Sequence, residues 1–224
     1  MKRSFFIGPL IACSFTVPLA AETNKVETPD GCTPVATVMK TVCQATTVFR
    51  CANSIESHTY QNGEHAVIHE YQPNWDMVGF RFAGFAGASM TAIAGSRADT
   101  NLRELIKTGQ TEENGKFVMN TRMIKDRPYV LSGQVSLSED VAEFGGAAFR
   151  TGSIKRLFER EPGAGGMAFE VDIYVSEDPD LFIEGSWTRS VFGSETEMFD
   201  QTPYAIAWPG EDGFLATMPD QGCE

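Results

Sequence analysis

MAFEVDIYV, residues 167 to 175, alternates without a break: Met167, Phe169, Val171, Ile173 and Val175 fall on one side and Glu170, Asp172 and Tyr174 on the other. An extended chain projects successive side chains to opposite faces, so this segment reads as a strand with one buried and one wet face, the mark of an antiparallel sheet. The turn SEDPD follows, and LFIEGSWT, from Leu181, reads as its antiparallel neighbour. The same period recurs upstream. Tyr129, Leu131 and Val135 share a face within Tyr129 to Leu137, and further strands are read at Lys116 to Ile124, behind the turn signal Asn114-Gly115, and at Met77 to Phe82.

The segment TPVATVMKTVCQATTVFRC is dense in β-branched residues and reads as extended, with a short helix over 34 to 44 as the alternative. The best helix is NLRELIKT, residues 101 to 108: Leu102, Leu105 and Ile106 form one apolar stripe, Asp99 or Thr100 can cap it, and Gly109 ends it. AGFAGASMTAIAG lacks the G-K-[ST] ending of a phosphate-binding loop and reads as close backbone packing or a tight turn. Six to ten strands with one or two short helices make the fold mainly β, α+β at most. The architecture expected is a curved antiparallel sheet, half-barrel or barrel-like.

At the N-terminus Lys2 and Arg3 precede an apolar run that ends in Ala20 and Ala21, the order of an export signal over residues 1–21. Gly8, Pro9 and Pro18 interrupt the run, which is poor material for a membrane helix of roughly 20 apolar residues. Leu10-Ile11-Ala12-Cys13 is similar to a lipidation motif, so Cys13 is the alternative processing site and a lipid anchor the minor reading of location. Residues 22–31 are read as flexible and 32–224 as one disulfide-bearing β-rich domain in the periplasm or outside the cell. Cys32, Cys43, Cys51 and Cys223 remain after cleavage, an even number, which points to two disulfides. Three connectivities are open; the one favoured ties Cys32 to Cys223 and Cys43 to Cys51. The tail WPGEDGFLATMPDQGC reads as a strap docked by Trp208, Phe214 and Leu215.

The formal net charge is −12, and the acidic excess lies almost entirely after residue 138. Such a chain repels phosphate backbones, which argues against nucleic acid as a partner.

Three constellations bear on chemistry. SHTYQNGEHAVIHEY, residues 57 to 71, holds all three histidines around Asn62-Gly63, the strongest short-range hairpin signal. A regular two-residue turn there would place Glu56, His58, Tyr60, His65, Val67, His69 and Tyr71 on one face, with diagonal neighbours about 7–8 Å apart. His58, His65 and His69, joined by Glu56, would then suit zinc or copper; a shift of one residue in register scatters the set. Nucleophilic catalysis finds no support, since no G-x-S-x-G elbow occurs. Paired carboxylates of a hydrolase remain a further alternative, with no pair singled out. Finally, three Trp and 16 Phe raise the aromatic content of a small domain; most of them belong to its core, yet a curved sheet has a concave face, which, if lined with Phe, Met and Trp, can hold an acyl chain or another apolar molecule. The leading expectation is therefore a non-enzymatic exported protein that binds an apolar ligand or another envelope component.

Overall fold

A computed structural model describes residues 25–84, 87–96, 101–161 and 165–223. The proposed signal, including Cys13, lies outside the described residues. The elements in chain order are β1 (Thr33–Lys40), β2 (Gln44–Arg50), β3 (Ile55–Gln61), β4 (Glu64–Tyr71), β5 (Met77–Phe82), β6 (Ser89–Ala92), α1 (Leu102–Thr108), β7 (Gln110–Asn120), β8 (Arg127–Phe144), β9 (Ala147–Glu159), β10 (Gly166–Glu177), β11 (Asp180–Val191), β12 (Glu197–Phe199) and β13 (Pro203–Ala207).

All thirteen strands join one antiparallel sheet in the order β12-β11-β10-β9-β8-β7-β6-β5-β4-β3-β2-β1-β13. Chain neighbours pair throughout, except that β13 adds to the free side of β1. Since β12 and β13 are adjacent in the chain yet occupy opposite edges, the sheet curls until residues 200–202 can link the two. That link is polar: Thr41 N donates to Thr202 O at 3.0 Å and Gln201 N to Ser186 Oγ at 3.0 Å, while Asp200 Oδ1 accepts from the Thr41 and Ser186 hydroxyls at 3.0 and 3.1 Å. The result is the expected mainly β half-barrel with one short helix.

The strand at 167–175 is β10, and its alternation is the observed one: Val171, Ile173 and Val175 are buried while Glu170 and Asp172 are exposed. It pairs with β11 as predicted. Strands β6 and β12, of four and three residues, are too short to show a period, which is why thirteen strands exceed the expected range. Residues 34 to 40 are strand, their β-branched content prevailing over the helical alternative. Asn114-Gly115 lies within β7 rather than at a turn, because Asn114 and Gly115 continue the pairing with Ser132 and Leu131 of the 18-residue β8. Helix α1 is where expected, but Asn101 itself is the cap, its side chain accepting from Glu104 N, and Gly109 ends the helix at a left-handed φ of 76°.

The core lies on the concave side. Helix α1 buries Leu102 and Leu105 in the same apolar cluster as Trp75, Phe149, Ile173 and Leu181. On the convex side of β1 and β2 the C-terminal strap docks: Leu215 N donates to Thr37 Oγ1 at 2.9 Å, and Ala216 packs on Met39 and Ala45. The stretch read as flexible joins it, for Lys25 bridges Ala216 and Val26 is 4% exposed. The disulfides are Cys32–Cys51 and Cys43–Cys223, not the favoured pairing. Pairing of β1 with β2 puts the two ends of that hairpin, Cys32 and Cys51, side by side, and leaves Cys43, in its turn, to hold the strap. Two disulfides fit an oxidising environment outside the cytosol. No helix among the described residues is long and apolar enough to cross a membrane.

Candidate functional site

The three histidines are divided by one residue. Asn62 and Gly63 form the expected turn, both at positive φ, and Gln61 pairs with Glu64 and Tyr60 with His65. The next pair is Thr59 with Val67, so Ala66 is an extra residue on β4, a β-bulge. Beyond it the register is shifted: His58 pairs with Ile68 and His69 with Ser57. His58, His65 and Glu56 therefore stay together on the convex face, and His69 turns to the concave one.

On the convex face His58 Nε2 donates to Glu56 Oε2 at 2.7 Å, and the His58 and His65 rings stack at 5.5 Å between centroids. Burial, with the neighbouring His58 and Arg81, holds the His65 imidazole below its ordinary pKa. The four-residue metal site predicted from the hairpin is thus not assembled, because the bulge sends His69 through the sheet. Among the described residues the one trio of ligand atoms within 4.8 Å of one another is Cys32, Cys51 and Glu56, and those sulfurs are bonded to each other.

The concave face holds a cavity of about 440 Å3, within the range of about 300–1,000 Å3 for small-molecule sites. Strand alternation supplies its walls. Phe80 of β5 pairs with Met90 of β6, Met90 with Met119 of β7, and Phe158 of β9 with Met167 of β10, so one inward row follows the curl. A ladder of rings runs along the other wall: Phe158 to Phe169 at 5.9 Å, Phe169 to Trp187 at 6.0 Å, then Trp187 stacked on Phe199 at 3.9 Å. His69 faces Phe80 at 5.7 Å. These side chains line the cavity, Phe199 excepted, which extends the ladder to the edge strand β12.

A charged cluster is set into this apolar wall. Arg156 donates through Nε and Nη2 to the two oxygens of Glu113, at 2.7 and 3.0 Å, and through Nη1 to Glu184 Oε1 at 2.7 Å. Glu113 is fully buried and Arg156 is 8% exposed. Gly133 makes the contact feasible: it pairs with Glu113 on one side and Arg156 on the other, so no side chain stands between them. A Cβ at Gly133 would come within 2.6 Å of the Lys155 carbonyl.

Burial alone would lower the Arg156 pKa, but the Glu113 and Glu184 carboxylates raise it well above its ordinary value. Burial would likewise raise Glu184, yet Arg156, His69 and Lys40 outweigh it and hold this carboxyl below the usual range. Glu184 is accordingly a fixed anion, unsuited to donate a proton near neutrality. His69 is depressed, first by burial and then by Arg156 and Lys40, with Glu184 opposing. It faces the cavity as a neutral imidazole at pH 7.

Lys40 lines the same cavity at the end of β1 and is 5% exposed. Its pKa falls to about 8, because desolvation outweighs the attraction of Glu184. The directly paired Gln44 donates to Gln61 Oε1 at 3.1 Å, while its own Oε1 is buried without a partner among the described residues.

Sequence reasoning anticipated the apolar concave face but missed Lys40, Glu113, Arg156 and Glu184. A signal existed for Arg156, a cation at an inward position between Ile154 and Phe158 in a period-two run. The chain matches no family model, no curated protein and no solved structure.

Proposed function

We propose that the protein is exported to the periplasm or beyond the cell and acts there, without catalysis, as a binding protein for an apolar molecule held in the concave face of the half-barrel. One observation carries this reading: a cavity of about 440 Å3 whose exposed wall is mainly apolar, lined by aromatic and methionine side chains with polar groups set among them. Its size suits a small apolar molecule rather than a folded partner. Burial of a ligand chain against these rings supplies about 0.8 kcal/mol per methylene removed from water, enough for retention without any specific polar contact. The buried ion cluster holds strands β7, β9 and β11 at fixed spacing and gives the cavity a polar landmark.

Calorimetric titration with dodecanol tests the reading. The wild type is expected to show saturable one-to-one binding, weakened at least about tenfold, or 1.4 kcal/mol, in Phe80→Asp and Phe169→Asp. Absence of saturable binding, or binding that neither substitution alters, would reject it.

A further inference from the structure

Two side chains of the cavity wall, Lys40 and its strand partner Gln44, have unfinished bonding among the described residues, and the Lys40 ammonium is the charged one. Among the described residues it makes no hydrogen bond and no ion pair within 4 Å, although 95% of the residue is covered. Both nearby carboxylates are committed elsewhere, Glu113 bidentate to Arg156 and Glu184 to its Nη1. A cation so far withdrawn from water and without a close partner is costly; its ammonium is not sealed off but open to the cavity, with three donors to offer. Gln44 cannot complete it by turning its amide. Gln61 Nε2 donates to Val42 O, which leaves Gln61 Oε1 as the acceptor for Gln44 Nε2 and fixes Gln44 Oε1 as a second unpartnered atom beside Lys40.

We propose that the ligand is an acyl chain ending in a carboxylate, with the chain along the Phe and Met walls and the carboxylate paired to the Lys40 ammonium. The inference rests on the apolar-ligand reading above and adds the head group to it. Two of the three ammonium donors suffice for the carboxylate oxygens, and the third is free for Gln44 Oε1. The turn from Thr41 to Cys43 that follows Lys40 is clamped by Cys43–Cys223 and by Thr41 N to Thr202 O, so the cation is held in place before any ligand arrives.

The pH dependence follows from the groups around it. Facing Lys40 are Glu184 and Arg189 on β11, His69 and Tyr71 on β4 and Arg156 on β9, with Glu113 behind Arg156 on β7. Between pH 7 and 9 Glu184, held low by Arg156, stays ionised, His69 stays neutral, Arg156 stays charged and Tyr71, raised by burial, stays protonated. Lys40 alone changes, losing its proton in the free protein as pH rises through about 8.

The test is calorimetric titration of the mature protein with dodecanoate, dodecanol and dodecylammonium, below their micelle concentrations. At pH 7 dodecanoate is expected to bind at least about tenfold tighter than dodecanol, as a charge-assisted bond requires, and dodecylammonium weakest of the three. Lys40→Met and Lys40→Gln remove that preference while retaining dodecanol, which also reports that the variants are folded. Raising the pH from 7 to 9.5 narrows the preference in the wild type and leaves the variants unchanged. Dodecanol binding with no dodecanoate preference, or a preference that survives both substitutions, overturns the proposal and leaves the apolar-ligand reading standing. Failure of all three ligands overturns both.

Discussion

The two faces of the sheet in β1 to β4 are built from the same alternating strands and yet do opposite things. On the convex face the side chains are covered by the protein itself: Thr37, Met39 and Ala45 lie beneath the strap, and His58 leans on Phe49 at 4.9 Å. On the concave face Val38, Thr46, Val48 and His69 look into a cavity together with Lys40. The convex side is covered by the strap, although His65 Nε2 is buried there without a hydrogen-bond partner among the described residues, whereas on the concave side the Lys40 ammonium opens on the cavity. One inserted residue, Ala66, decides which of these worlds His69 enters. Alternation assigns a side chain to a face only as far as the next bulge.

The largest effect is expected on the convex side. Removing Cys43–Cys223 as a pair of serines opens a loop of 180 residues, against 19 for Cys32–Cys51. Chain-entropy reasoning puts the losses at about 5 and about 3 kcal/mol respectively. Urea unfolding of the two double variants checks the order. The reverse order would show that the strap contributes little to the fold.

Next comes the concave cluster. Arg156→Met removes the guanidinium that binds both Glu113 and Glu184, and unfolding stability should fall by about 3–5 kcal/mol. Adding Glu113→Gln and Glu184→Gln to that variant should recover part of the loss. A loss below about 1 kcal/mol for Arg156→Met alone would mean that the cluster is not sealed from water. Gly133→Ala, which forces a Cβ against the Lys155 carbonyl beside the same cluster, is expected to cost about 1–3 kcal/mol.

A smaller effect is read by pH, and a histidine on each face contributes to it. His69 has a depressed pKa in the folded protein, so the unfolded chain binds the extra proton first, and stability falls as pH drops below about 6.5. Glu184, also depressed, contributes stability that is lost only at lower pH, below about 4.5. His69→Gln should flatten the upper part of this profile and leave the lower part in place. His65 acts in the same upper window from the convex side, so His65→Gln is the matching control, and two equal, additive changes would report that the histidines titrate independently across the sheet.

Much of the fold was legible because the long strands carry their own period. Residues 167–175 and 129–137 declare their faces, Asn62-Gly63 declares its turn, and Leu102, Leu105 and Gly109 declare the helix. What escaped depended on partners distant in the chain. The bulge at Ala66 has no glycine or proline to mark it, the cap of α1 fell one or two residues later than expected, and the disulfide pairing follows from the β1–β2 hairpin rather than from cysteine spacing. Lys40, Glu113, Arg156 and Glu184 come from four strands, and only the curl of the sheet makes them neighbours. Their sequence trace was a charge at an inward position, which is uninformative until the faces are known.

The face on which a ligand sits separates the two sides of the sheet most directly. A crystal structure of the protein grown with 12-bromododecanol, with the bromine located by its anomalous signal, addresses this directly. A single major bromine site is expected on the concave face, within van der Waals reach of Phe80, Met90 or Phe169. Bromine on the convex surface alone, or scattered over several exterior sites with the cavity unchanged, would contradict it.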